Sequence, residues 1–248
     1  MGTIRPQIVL FGDSLTEWSF RVDECGWGAS LANHFSRKAD VVARGFGGYN
    51  TRLAKIMLER IFPIPSSNPP ILVTVGFGAN DSSDPNASHK ILSVPVAEYG
   101  QNLRKIVAHL KKQSDTTKII LFTPPPVSEK MLVKQWLMWP DFSGIPTRRN
   151  EHTRLYAEEV VKVAWDEKLP VINLWSIFQE EADWEEKYLS DGLHLTSQGN
   201  AKVFEELLKV LEVISLNKKK VPWDFPAITR LGDNPVAALK TWCMRSSL

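Results

Sequence analysis

Apolar residues arrive along this chain in short unbroken runs. Ile8–Phe11, Val41–Ala43, Ile71–Val75, Lys118–Phe122 and Pro170–Leu174 are rich in Val and Ile and lack the polar alternation of a half-exposed strand. Such runs predict strands apolar on both faces, as in a parallel sheet covered by helices, although buried helix shares the same lack of period. Between them the apolar spacing changes to three and four. It predicts helices near Gly28–Arg37, Thr51–Arg60, Ala97–Lys112 and Arg148–Glu167, and a last one near Gln198–Ile214. In that last helix Val203, Leu207, Val210, Leu211 and Ile214 share a face. Five strands alternating with helices predict one doubly wound α/β domain.

Two stretches depart from this alternation. Ser128–Thr147 holds Trp136, Leu137, Met138 and Trp139 between Pro124-Pro125-Pro126 and Pro140. After Leu216 the chain is broken by prolines yet keeps enough apolar residues to pack. It reads as an extension, 217–248, on a single domain spanning 1–248. No internal repeat or low-complexity linker divides the chain.

Composition narrows the class without naming it. Of 248 residues 43% are apolar and 23% charged, an ordinary globular balance. With 30 basic against 28 acidic side chains the net charge is +2, which makes no electrostatic case for nucleic acid or an anionic membrane. No apolar run approaches a membrane span, and the opening MGTIRPQIVLFGDS lacks a secretory leader. Cys25 and Cys243 are therefore expected to be reduced thiols in a cytoplasmic protein.

In open α/β sheets ligands bind beyond the carboxyl ends of the strands. Four such ends carry polar or glycine-rich turns: Gly12-Asp13-Ser14, Gly45-Phe46-Gly47-Gly48, Gly76 to Asp81, and Thr123 with its prolines. Ser14 has two readings. Ser14-x-x-Glu17 is a capping box, and a serine at a strand end is also a candidate nucleophile. A serine hydroxyl needs a base, and the base an orienting group. His34 and His109 sit in helical stretches, and His89 and His152 lie away from strand ends. His194 differs, because Ser190-Asp191-Gly192-Leu193-His194 lets the Asp191 carboxylate reach one ring nitrogen while the other points outward. An Asp-Gly turn before a helix capped at Thr196 or Ser197 would look the same. Acyl transfer also needs donors for the oxygen that becomes negative, and the Ser14 N–H, the Gly48 N–H and the Asn80 amide are candidates.

FGDSLTE, RGFGGYNT, GFGAND and SDGLHLTSQG, in this order, resemble the four motifs of the SGNH (GDSL) hydrolase superfamily. GWGASL, TPPP and the Pro-broken tail are similar to the isoamyl acetate-hydrolysing esterases and their plant GDSL relatives. The resemblance implies a flavodoxin-like three-layer α/β/α sandwich on a five-stranded parallel sheet. It implies Ser14 as nucleophile, His194 as base and later acid, Asp191 as its orienting group, and Ser14, Gly48 and Asn80 as the oxyanion hole. The chemistry implied is hydrolysis of short-acyl esters, acetate esters among them, with no metal or organic cofactor. Sugar deacetylation, lysophospholipid cleavage and thioester cleavage share the same machinery. Ser14 is then expected to cap the helix and to attack, the cap holding its hydroxyl in place. Trp136 and Trp139 are expected either to wall the substrate pocket or to pack on the core, and a homodimer is a further expectation.

Overall fold

The computed structural model describes residues 5–86, 90–136 and 146–245. Five strands form one parallel sheet: β1 (Gln7–Gly12), β2 (Asp40–Gly45), β3 (Leu72–Gly76), β4 (Lys118–Phe122) and β5 (Val171–Ile172). Their order is β2-β1-β3-β4-β5, so the direction of winding reverses between β1 and β3. Ligands gather at such a switch point.

The helices are α1 (Ser14–Glu17), α2 (Trp27–His34), α3 (Thr51–Ile61), α4 (Val96–Gln113), α5 (Glu129–Trp136), α6 (Asn150–Glu167), α7 (Leu174–Phe178), α8 (Trp184–Tyr188), α9 (Ser197–Val213) and α10 (Pro235–Arg245). Side chains alternate across a strand, and both faces are buried here. Val9, Phe11, Val73, Val75, Ile119 and Leu121 face α3, α4 and α6, whereas Ile8, Leu10, Leu72, Ile120 and Phe122 face α2, α7 and α9. On α4 the buried set Tyr99, Leu103, Ile106, Val107 and Leu110 keeps the three-four spacing of a core-facing stripe. Among the described residues no helix is long and apolar enough to cross a membrane.

β5 is shorter than its apolar run suggests. Asn173 accepts the N–H of Ser176 at 3.2 Å and so starts α7, ending the strand after two residues. Beyond α9, Val221 is buried with the α2/α9 layer, and the Lys38 Nζ donates to its carbonyl at 2.6 Å. Asp224 pairs with Arg5 and Arg37, and the Arg37 guanidinium lies 4.7 Å from the Trp223 ring centroid.

At the carboxyl edge the register places Gly12 beside both Gly45 and Gly76, a row of three residues without Cβ. α1 folds straight down onto this row. A Cβ on Gly45 would stand 1.9 Å from the Glu17 backbone nitrogen, an atom that cannot move without unwinding α1. Gly45→Ala should therefore lower the unfolding free energy by about 1–3 kcal/mol, the usual penalty of overpacking. Urea unfolding measures it, and an unchanged midpoint would show that α1 does not rest on the edge.

Candidate active site

The turn after β1 sets the position of Ser14. Asp13, with φ −88° and ψ −151°, is the N-cap of α1, and its Oδ1 accepts the Leu15 N–H at 3.0 Å. The Asp13 carbonyl accepts the N–H groups of Thr16 and Glu17. Ser14 is thus the first helical residue and not the cap. The expected capping box does not form: the Glu17 carboxylate turns away and accepts the Gly47 N–H at 2.5 Å, tying α1 to the loop after β2. At the first helical position the Ser14 N–H has no acceptor within the helix.

His194 comes to Ser14 from the loop between α8 and α9. Its Nε2 lies 3.0 Å from Ser14 Oγ, and its Nδ1 lies 2.6 Å from Asp191 Oδ2. The other Asp191 oxygen accepts the backbone N–H groups of Leu193 and His194 at 2.9 and 2.8 Å. Burial pushes the Asp191 carboxyl up, but the His194 ring bond and charge and these two N–H groups outweigh it and hold the carboxyl down at about 2. Asp191 therefore stays ionised at neutral pH. An ionised carboxylate accepts only, so Nδ1 carries the proton and Nε2 is left to accept from the serine hydroxyl.

The imidazole is also held from its face. Trp18, four residues past Ser14, stacks on it at 3.8 Å between centroids and 27° between planes. The Arg21 guanidinium sits 3.7 Å from the same Trp18 centroid, so the indole is sandwiched between the two. A small cleft opens beside this stack, lined by Leu15, Trp18, Arg21, Glu24, Ser190 and His194 among others.

The loops after β2 and β3 are joined across the same edge. Gly48 has a φ of +76°, the left-handed region that favours glycine, and a Cβ there would meet nothing within 4 Å. Buried Asn80 donates from Nδ2 to the Tyr49 carbonyl at 2.9 Å and accepts at Oδ1 from Arg148 Nη2 at 2.8 Å. The neighbouring Asp81 accepts the Thr51 N–H at 3.0 Å and the Thr51 hydroxyl at 2.5 Å, fixing the start of α3.

The structure thus brings Ser14, Asp191 and His194 into one hydrogen-bonded line and ties the Gly48 and Asn80 loops to each other. His109 and His152 bond to the carbonyls of Phe62 and Ser82 instead. Trp136 is the last residue of α5, with its side chain outside the described residues, where Leu137, Met138 and Trp139 also lie. Sequence reasoning gave Glu17 the wrong partner and missed Trp18 and Arg148. Trp18 was within reach, because a residue four past Ser14 belongs to the same helical face. Arg148 left no signal, since an arginine at the start of a predicted helix reads as exposed.

Asp13 is the least comfortable group in the site. It is 1% exposed, and its Oδ2 has no partner among the described residues. Burial pushes its carboxyl up to about 7, against a bond from Leu15 and the charge of Arg148. The folded chain therefore holds this proton between its ordinary 3.8 and about 7, where the unfolded chain has released it. Stability through Asp13 must fall as pH rises across that window and level off above it. Asp13→Asn keeps the capping oxygen and removes the titration. The variant should gain on the parent in urea unfolding between pH 5 and pH 8, whereas a gap independent of pH would show that Asp13 ionises normally.

Residues 10–202 match the GDSL-like lipase/acylhydrolase family. The chain is 47% identical to a GDSL esterase/lipase of Arabidopsis thaliana, over 97% of this chain and 100% of the relative. It is 40% identical to the isoamyl acetate-hydrolyzing esterase 1 homolog of Mus musculus, over 89% of this chain and 86% of that one. The crystal structure of a lipase/acylhydrolase from Enterococcus faecalis has the same fold, with a TM-score of 0.65 at 22% identity over 88% of this chain and 98% of the other. A serine at the switch point of a 2-1-3-4-5 sheet, matched over most of its length to one family of proteins, places the chain: it belongs to the GDSL-like lipase/acylhydrolase family.

Proposed function

We propose that this carboxylic ester hydrolase cleaves esters of short acyl groups through an acyl-enzyme on Ser14. The observation that carries the reading is the unbroken line from Asp191 through His194 to Ser14, at 2.6 and 3.0 Å, at the carboxyl edge of the sheet. His194 Nε2 takes the Ser14 proton as Oγ attacks the ester carbonyl. Negative charge gathers on the carbonyl oxygen, where the Ser14 N–H, the Gly48 N–H and the second Asn80 amide hydrogen receive it. The intermediate collapses, the carbonyl–alkoxide bond breaks, and His194 returns its proton to the leaving alcohol. A water molecule, deprotonated by His194, then attacks the acyl-serine, and the carboxylic acid departs as Ser14 regains its proton. Asp191 remains ionised throughout and stabilises the imidazolium formed in each half.

Acetate esters are the proposed substrates, a reading supported by the mouse relative's name. Because the alcohol leaves from His194, the cleft lined by His194, Trp18, Arg21 and Glu24 is suited to hold it. The ionic ends of Arg21 and Glu24 favour an alcohol with further hydroxyl groups, so a carbohydrate O-acetyl ester is the second reading.

Nucleophile and base act as a unit, so Ser14→Ala and His194→Ala should each abolish turnover and the double variant should lose little more. A serine-directed phosphonate should label the parent at Ser14. Turnover preserved in Ser14→Ala would sink the acyl-enzyme. Among p-nitrophenyl esters, kcat/KM should be highest for acetate and fall at least about tenfold by the hexanoate, since each unaccommodated methylene is rejected weakly. A profile that rises with chain length would mark a long-acyl enzyme instead.

A further inference from the structure

Asp13, Asp81 and Arg148 are the charged side chains buried among the described residues, and the relay uses none of them. Arg148 comes from the loop before α6 and is 6% exposed. Taking a guanidinium out of water is strongly unfavourable unless its donors are satisfied and an opposite charge stands near. Its Nε donates to the Ala79 carbonyl at 2.5 Å, its Nη2 to Asn80 Oδ1 at 2.8 Å and its Nη1 to Thr147 Oγ1 at 3.4 Å. Two of these three acceptors belong to Ala79 and Asn80, adjacent residues in the loop after β3.

We propose that Arg148 is a positioning residue of the oxyanion hole, fixing the direction in which the Asn80 amide faces and strengthening it as a donor. The proposal rests on the acyl-enzyme reading, in which Asn80 serves the developing oxyanion. An asparagine amide can turn over end for end, and only its partners decide the outcome. A guanidinium has donors alone, so the atom 2.8 Å from Nη2 has to be the amide oxygen. The Tyr49 carbonyl accepts alone, so the atom 2.9 Å from it has to be the amide nitrogen. A flipped Asn80 would set donor against donor at one end and acceptor against acceptor at the other. With the amide locked, one Nδ2 hydrogen is used by Tyr49 and the second is left for the substrate oxygen. The cation on Oδ1 draws electron density from the amide and makes that second hydrogen a better donor. Burial lowers the Arg148 guanidinium to about 10 in spite of Asp13 and Asp191 nearby, so it remains cationic at neutral pH.

A double-substitution cycle on the hydrolysis of p-nitrophenyl acetate tests this, with Asn80→Ala and Arg148→Met as its corners. Asn80→Ala should lower kcat by about 10²–10³ with little change in KM, the usual loss of one oxyanion donor. Arg148→Met should lower kcat by about 10- to 100-fold, again with KM near the parent value, and should lower it less than about twofold further when Asn80 is already Ala. Binding of a trifluoromethyl ketone, which forms an anionic adduct on the serine, should weaken in step with kcat. Arg148→Lys keeps the charge but not the fork and should recover part of the loss. If Arg148→Met does not fold, the same cycle run with Arg148→Lys should show the same lack of additivity. Losses that multiply in the double variant, or a raised KM with kcat kept, would leave Arg148 a merely structural residue and overturn the proposal. Ser14→Ala with full turnover would instead bring down the reading on which it stands, so the two failures are told apart.

Discussion

Everything in the site depends on how closely α1 can approach the sheet. Gly12 and Gly45 lack the Cβ atoms that would collide with Thr16 and the Glu17 backbone and hold the helix away from the strand ends. α1 then begins one residue after β1, and Ser14 is presented at the edge with no loop to place it. A rigid start matters because the proposed reaction needs the hydroxyl, the ring nitrogen and the oxyanion donors held closely at their working positions. A longer turn would have given the same residues a wider range of positions. The chain thus puts its least substituted residues where its most exacting geometry is required.

The same closeness brings charge into the interior. Asp13 caps α1 from a buried position, and Arg148 and Asp81 are buried near it. None of these groups is at ease away from water, as the upward shifts of Asp13 to about 7 and of Asp81 to about 6 and the downward shift of Arg148 indicate, each dominated by burial. What the arrangement supplies is direction. Each buried group has partners of one kind, donors only or acceptors only, so each fixes the orientation of a neighbour that could otherwise turn. Asp81 fixes Thr51 and the start of α3, and Arg148 fixes the Asn80 amide; the half-buried Asp191 fixes the tautomer of His194 in the same way. Stability is given up locally in return for orientation, a trade that recurs where a site must be preorganised.

Much of this was legible in the sequence, for reasons that also explain what was not. The five apolar runs mark the strands because a parallel sheet buried on both faces leaves no room for polar alternation, and Lys118–Phe122 begins and ends as read. Asp191 and His194 could be paired because their spacing is local. β5 was read too long because Asn173 looks like the continuation of a strand until its side chain is seen accepting the Ser176 N–H. The capping box at Ser14 and Glu17 was misread for a related reason. A capping pattern describes what a helix does in isolation, and here two competitors stand nearby: Asp13 takes the cap, and Gly47 offers Glu17 a donor from another strand end. Arg148 was invisible because its burial depends on contacts from the loop after β3, 68 residues away in sequence.

The exchange of partners at Glu17 has a consequence that a local cap could not provide. Had Glu17 closed on Ser14, α1 would have been self-contained and the loop after β2 free to adjust independently. Because Glu17 accepts the Gly47 N–H, the position of the proposed nucleophile is coupled to the residue before Gly48. Asn80 in turn holds the Tyr49 carbonyl on the far side of Gly48. The residues on either side of Gly48 are therefore anchored to the other two strand ends, while Gly48 itself keeps its open face. A glycine between two tethers is free of a side chain without being free to wander, which is the condition a backbone donor must meet to receive charge at a fixed point.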